Sequence, residues 1–580
     1  MASKSKDYER RLFAYIEGCE ESYEDSVAML RREWTSSGYH SNLPSGAIVH
    51  PTRESFDYAV ALIDSGDKPY VDRGHRVLTA CLNLQEKDPT KPTFGFWPYT
   101  RDESLDEMSP PDWNWADFCG ARIALLLHDH RQNIETELLN ELQDALQCAA
   151  YSIFRRNVQS GYTNIAIMGA GVCAVAGELL NIPFLVEYGR RRLSNFVEHT
   201  EYHGGFNEYN SPTYTIVALE EAERILHLVR DPACRDYAER IRREAWRVIA
   251  EHFHPATHQW AGPHSRAYSD LLRASTAGKI TRRTGVTIRA FENRPESITP
   301  NRAELPEFVP ELPCPDDHVP RFSRLPSTPT VIDASFVRRV PEIASVTGYT
   351  WLSRDVCLGS VNHDSMWTQR RGLIGYWPIA PDNVAVFRCR FLKDGKDFAS
   401  AGIVNNQENN CVLTGVHFLE GHGDYHIHLD RPDGGLFSAS SLMCRFSVTG
   451  PGVQADDLGG GVFRLSAGSH VVFLFTVQAI FDDRPIVWRH ETTSGSAWVE
   501  AVCHEGEPLH FSISKLGTVR LISGLYVVGS DTVPLSKIPK QRLPSVSAEG
   551  HQWTANWCPE PETNLSISLP ISSSERLDGK

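Results

Sequence analysis

Through the first half of the chain, apolar residues recur at three- and four-residue steps, the period of a helix with one buried face. Segments near 8–35, 54–64, 72–87, 113–129, 134–156, 163–180, 183–198, 212–230 and 233–252 follow this pattern. Ala121, Ala124, Leu125 and Leu127 form one such stripe, and Val217, Leu219, Ile225 and Leu226 another. Ser211-Pro212 reads as a helix start, a capping residue followed by a proline at the first helical position. Many helices joined by short links predict antiparallel hairpins. Wrapped into a ring, such hairpins make an α/α toroid whose inner loops line a groove.

The pattern changes near residue 294. Nine prolines lie between Pro295 and Pro329, with no sustained periodicity, which predicts an extended connector. After Val331 the chain turns to runs rich in β-branched and aromatic residues, at 385–392, 411–419, 470–481 and 518–529. Glycine, aspartate and asparagine separate these runs, and no helical pattern intervenes. That predicts an antiparallel β-sandwich. The expected organisation is a helical catalytic domain at 1–294, a proline-rich connector at 295–330 and a β-sandwich at 331–580.

Composition narrows the function classes. Hydrophobic residues make up 41% and charged residues 23% of 580 positions, the balance of a soluble globular protein. No run of about 18 apolar residues appears, so no membrane partner is expected. A net charge of −15 argues against nucleic acid. It does not exclude an anionic ligand, because screening over roughly 8–10 Å lets a local basic cleft dominate. Basic pairs and triplets occur at Arg155-Arg156, Arg190-Arg191-Arg192, Arg282-Arg283 and Arg370-Arg371, and most are expected to be solvated helix faces. The 13 cysteines are scattered, odd in number and form no CxxC pair, which fits reduced thiols in a core. The first residues, MASKSKDYERRLFAYIEG, lack the apolar run of a secretory signal. A cytoplasmic location is therefore expected, and a homodimer is compatible with the sequence.

Residues 203–222, HGGFNEYNSPTYTIVALEEA, carry the most chemistry. A glycine pair and an acid precede Ser-Pro-x-Tyr at a helix start, which puts Tyr214 in the first turn. Such a tyrosine is more commonly a packing residue. His203 beside two glycines reads equally as a substrate contact or a loop cap. Downstream, GPHSRAYSDLL at 262–272 offers His264, Arg266 and Tyr268. Arginine binds a carboxylate bidentately and lowers the pKa of a neighbouring phenol; it also commonly pairs to a helix end. Trp97, Tyr99, Trp113 and Trp115 cluster in a short region with prolines. Flat rings stack on sugar faces as readily as they fill cores. His422, His426 and His428, with Asp424, form a strand-like cluster suited to zinc, although histidines on an exposed strand are the commoner explanation. No cofactor is required; a structural divalent metal would sit there.

The 203–222 segment resembles the heparinase II/III-type polysaccharide lyases, in which a D-G-G-x-x-E-x-S-P-x-Y-H pattern carries the catalytic tyrosine. Glu208, Ser211, Pro212 and Tyr214 match. His203 stands in place of the aspartate and Thr215 in place of the histidine. Residues 163–180 resemble the Asn-His helix of that family, with Asn164 matching and Ile165 replacing histidine. Asn164 and Tyr214 lie 50 residues apart, close to the family spacing. Trp115 and Arg122 resemble its tryptophan-led helix. Residues 360–378 resemble its sandwich motif, with His363 as the histidine that reaches toward the groove.

The resemblance implies β-elimination at a uronic acid. The C5 proton is poorly acidic while the neighbouring carboxylate keeps its charge, so an amide such as Asn164 or a protonated Glu208 is wanted beside it. Tyr214 is then the general acid for O4, and also the base if the elimination is syn. His363 is the alternative base. Glu208, His203, Arg266, Tyr268, Trp113 and Trp115 would contact the substrate. That substrate is expected to be an imported uronic-acid oligosaccharide, or a polysaccharide. Two other readings stay open. One is a glycoside hydrolase using Asp112, Asp117 and Glu208; the other is a non-catalytic carbohydrate-binding protein.

Overall fold

The computed structural model describes residues 5–35, 40–291, 304–380, 382–419, 434–529 and 543–572. Ten α-helices occupy the first half among the described residues: α1 (Lys6–Cys19), α2 (Thr52–Ser65), α3 (Lys68–Leu82), α4 (Asn114–Asp129), α5 (Thr136–Arg156), α6 (Thr163–Leu179), α7 (Pro183–His203), α8 (Tyr214–Leu228), α9 (Pro232–His252) and α10 (Ala274–Thr284). Antiparallel strands fill the second half. The fold class is thus a helical domain plus β-sandwich, as the periodicity predicts. The chain forms two compact units, one of Met1–Glu201, Val217–Ala245 and Pro295–Pro313, the other of Tyr202–Ile216, Trp246–Arg294 and Cys314–Lys580. Segments 202–216 and 246–294, expected with the helical domain, therefore group with the strands.

In the first unit, α2 packs on α3, α4 on α5 and α6, and α5 on α6. Gly66 at φ +74 ends α2, and Asn157 at φ +45 ends α5; both are left-handed caps. Helix α6 is buried at every position from Thr163 to Gly177, as expected of a helix apolar all round.

Two expectations need correction. The helix predicted over 8–35 stops at Cys19. Beyond it, Tyr23–Glu24 pairs with Met29–Leu30, across a turn in which Ala28 has φ +55. That left-handed residue cannot continue a helix, and the periodicity alone did not reveal it. Helix α10 was not predicted, because its apolar face is short. Between residues 304 and 329 the described chain forms turns and bends, and its one helical element is the short 3-10 turn Val319–Phe322.

The second unit holds a nine-stranded and a seven-stranded antiparallel sheet. Trp377, Phe387 and Phe391 of the first share a core with Val412, Leu465, Leu474 and Leu525 of the second. A third sheet, of Ser545–Glu549, Gln552–Trp557 and Leu565–Pro570, packs on the outer face of the seven-stranded sheet. This explains why every residue of Cys411–Phe418 is buried, Thr414 and His417 included. Val412 and Val416 face the sandwich core, while Cys411 and Leu413 face the third sheet. Residues two apart share a face, so a strand covered on both sides has no solvent-facing register left.

Strand Cys357–Val361 supports the loop 261–268. Thr350 Oγ1 donates to the Gly262 carbonyl at 2.6 Å. A Cβ on Gly359 would lie 1.8 Å from that same carbonyl oxygen, so only glycine lets the two backbones meet. Gly359→Ala should cost about 1–3 kcal/mol, the usual range for overpacking, seen as a lower unfolding midpoint in denaturant. Gly495→Ala, with open space around it, should leave that midpoint unchanged. Equal midpoints for both variants would contradict this packing.

Candidate active site

The local sequence fixes Tyr214. Ser211 Oγ accepts from the Tyr214 N–H at 2.9 Å, and the Ser211 carbonyl accepts from Thr215 N–H at 3.1 Å. Serine is the cap, and Pro212 supplies a helical φ where no N–H is needed. The loop before it is held by Asn210, whose backbone sits at φ +42. Asn210 Nδ2 donates to the carbonyls of Ala261 and Pro263, both at 2.8 Å, and its Oδ1 accepts from Trp260 Nε1 at 2.5 Å. His264 Nδ1 donates to the Asn210 carbonyl at 2.7 Å. Burial pushes this imidazole down to about 3, so it serves as a neutral strut.

Two further segments zip together. The His264 N–H donates to the Arg371 carbonyl at 3.1 Å, the Arg371 N–H to that of His264 at 2.9 Å, and the Ala267 N–H to that of Gln369 at 2.7 Å. Arg266 is thereby fixed between the α8 loop and residues 367–371. Its guanidinium spends each nitrogen on a different partner. Nε donates to Gln369 Oε1 at 2.6 Å, Nη1 to Glu208 Oε1 at 2.9 Å and Nη2 to the Tyr214 hydroxyl at 3.0 Å. The group also lies 4.5 Å from the Tyr214 ring centre and 4.8 Å from that of Trp367. Ser211 Oγ donates to the Arg266 carbonyl at 2.6 Å, tying arginine and tyrosine to one cap. The Tyr214 and Tyr268 hydroxyls are 2.8 Å apart, and Tyr268 is 43% exposed, so the pair links the cluster to solvent.

Burial raises the Tyr214 phenol above its ordinary value; Arg266 opposes this, and Tyr268 and Glu208 add to it. The hydroxyl therefore carries its proton at neutral pH, next to a cation able to stabilise the phenolate left after donation. The cluster offers a proton donor with a built-in counter-charge, and a phenol path to water.

Tyr214, Glu208, Arg266 and Tyr268, all expected from sequence, come together. Gln369 and Trp367 join them and were missed, although they lie within the segment singled out for His363. His363 is placed differently. Its Nε2 donates to the Ser345 carbonyl at 3.1 Å, and it lines a cavity of about 860 Å³ with Tyr209, Asp364 and Arg370. Tyr214, Glu208, Arg266 and Tyr268 are not among the described residues lining that cavity. His203 Nδ1 accepts from the Arg338 N–H at 2.9 Å, the loop-capping alternative of its sequence reading.

In the helical unit, Asn164 lies in the first turn of α6 and is buried. Its Oδ1 has no hydrogen-bond partner among the described residues. Trp113 is 40% exposed and stacks on Phe96 at 5.6 Å. Trp115 packs against Tyr99 at 4.0 Å. Of the hydrolase candidates, Asp112 accepts from the Tyr99 hydroxyl at 2.7 Å. Asp117 is a core group raised to about 7 by burial, in contact range of any side chain at Gly169. His422, His426 and His428 lie outside the described residues. Arg371 of the basic pairs binds Asp270 at 2.6 Å, and Arg190 binds Asp231 at 2.6 Å, so these arginines are engaged within the fold. All 13 cysteines are free thiols, and no described helix is long and apolar enough to cross a membrane.

A family model described as a domain of unknown function, DUF8769, matches residues 20–281. No curated protein matches the chain. Among solved structures, it is similar to a heparinase III at 11% identity and a TM-score of 0.41, over 98% of this chain and 91% of that one. A second heparinase III, the BT4657 gene product, gives 11% identity and a TM-score of 0.35 over the same shares. A mutant of the Streptomyces coelicolor A3 chondroitin AC lyase gives 11% identity and a TM-score of 0.40, over 96% of this chain and 85% of that one.

Arg266→Ala removes the cation bonded to Glu208 Oε1 and empties the contact to Tyr214. Breaking a buried pair by deleting one partner costs roughly 3–5 kcal/mol, so denaturant unfolding should show a loss of that size. Glu208→Gln, which keeps the shape, should cost less. A loss under about 1 kcal/mol for Arg266→Ala would show that the cluster does not hold these segments.

Proposed function

We propose that the chain cleaves uronic-acid-containing oligo- or polysaccharides by β-elimination, with Tyr214 as the general acid. The observation that carries this reading is the 3.0 Å contact between Arg266 Nη2 and a Tyr214 hydroxyl that burial keeps protonated. In the reaction the C5–H and C4–O4 bonds break and a C4–C5 double bond forms. The departing O4 takes a proton from Tyr214, and Arg266 stabilises the phenolate that remains. Removal of the C5 proton requires the sugar carboxylate to be neutralised, a role assigned to the Asn164 amide on the strength of the family resemblance. Tyr268, exposed and 2.8 Å from Tyr214, gives the phenol a route to exchange its proton with solvent. A phenolate formed along that route takes the C5 proton and passes that same proton to the departing O4 in a syn elimination, so the phenolate is regenerated and each proton is accounted for. Anchored to Ser345, His363 is given no proton transfer in this scheme.

A panel of uronate oligosaccharides, followed by the ultraviolet absorbance of the unsaturated product, tests the reading. Wild-type protein should turn over at least one member. Tyr214→Phe should lose roughly 10²–10⁴-fold of the rate with folding intact. Turnover by Tyr214→Phe at the wild-type rate would remove Tyr214 from the reaction. Hydrolysis products without new absorbance would replace the lyase reading with a hydrolase.

The pH profile gives a second check. A phenol raised above its ordinary value of about 10 stays protonated through the neutral and mildly alkaline range, and its phenolate fraction grows with pH throughout. Turnover should be level or rise up to about pH 10, with no falling limb. A fall centred near pH 8 would contradict the assigned protonation state.

A further inference from the structure

A second cluster lies wholly within the helical unit and has no part in the chemistry above. Helix α4 ends on His128 and Asp129, and His227 is the penultimate residue of α8. His128 Nδ1 is 2.6 Å from Asp129 Oδ1. His227 Nε2 is 2.8 Å from Asp129 Oδ2 and 3.1 Å from Oδ1. All three ligand-type atoms lie within 4.8 Å of one another, and the two imidazole rings are 5.5 Å apart. None of the three is sealed off: their side chains are 31%, 22% and 28% exposed.

We infer that His128, Asp129 and His227 form a divalent-metal site, of a kind that suits zinc, that staples the C-terminal ends of α4 and α8. Two observations favour a cation here. The donor set, two imidazoles and a carboxylate, is one that zinc takes in proteins, with a fourth position left to water. A tetrahedral ion at about 2.0–2.1 Å from each ligand needs donor atoms roughly 3.3 Å apart; each imidazole lies 2.6–3.1 Å from the carboxylate, and all three donors lie within 4.8 Å, so side-chain rotations suffice. In addition, two helix C-termini meet at this point. The aligned peptide dipoles give such ends partial negative charge, which favours a positive ion; at the α8 end Arg235 already meets the Leu226 and Val229 carbonyls. Asp129 is already held in its charged form, since the two imidazoles overcome the effect of burial.

The chain also carries His422, His426 and His428, so the test must separate the two clusters. Zinc chloride is titrated into the metal-free full-length protein by calorimetry, with bound metal counted per chain. Asp129→Asn, His227→Ala and His227→Gln are titrated alongside. Wild-type protein should bind one equivalent more than each variant, and zinc should raise its thermal midpoint by more than it raises theirs. Cobalt(II) should give the strong visible absorption of a tetrahedral site in wild-type protein and lose it in Asp129→Asn. Equal stoichiometry across all four proteins would overturn the assignment, as would a wild-type protein that binds no zinc. Circular dichroism establishes folding of each variant, and His227→Gln supplies the conservative arm.

Discussion

A guanidinium taken out of water must be matched on every donor, and Arg266 shows how far that requirement organises one region of this protein. Its three nitrogens reach Gln369, Glu208 and Tyr214, residues drawn from two stretches of chain besides its own. A lysine in its place could not serve all three, because a point charge lacks the fixed fork. The cap at Ser211, the strut at His264 and the pairing of 264–267 with 369–371 all hold these stretches at the spacing the fork demands. Gly359 belongs to the same scheme, since its missing side chain lets the supporting strand touch the Gly262 carbonyl. The catalytic reading follows from this arrangement, for the cation that holds the loop together also stands ready to compensate a tyrosinate.

The same scaffold presents opposite faces from adjacent residues. Glu208 turns to Arg266, while Tyr209 turns its hydroxyl to Asp364 at 2.5 Å. Gln369 turns to Arg266, while Arg370 pairs with Asp364. A cavity of about 860 Å³ lies on the second face, and His363 belongs to it. Both pairs sit in turns and loops rather than strands, and consecutive side chains leave the backbone on different sides there, so a functional residue and its structural neighbour are one position apart.

This alternation explains which parts of the site were legible in sequence. Ser211, Pro212 and Tyr214 were readable because capping chemistry is local: a hydroxyl, a proline and a tyrosine at fixed offsets fold the same way in many contexts. Glu208 and Arg266 were readable as residue types suited to carboxylate and phenol chemistry. Gln369 and Trp367 were not, because their use depends on the register between two distant segments, and a slip of one residue reverses every side chain. His363, four residues before Trp367, is the residue type that stands out in that segment, but it lines the cavity on the other face. The helical and strand halves were readable from periodicity, since 3.6- and 2-residue repeats report burial directly. The segment after Cys19 misled because one left-handed residue, Ala28, redirects the chain without changing its hydrophobic pattern.

The account rests on Tyr214 and Arg266 acting on a sugar together, and a crystal structure would test this most directly. Tyr214→Phe protein would be soaked with a uronate oligosaccharide that the wild-type enzyme cleaves. The account predicts a glycosidic O4 lying within hydrogen-bonding distance of where the lost hydroxyl stood, with Arg266 still bonded to Glu208. A saccharide seated only in the His363 cavity, away from residue 214, would contradict it.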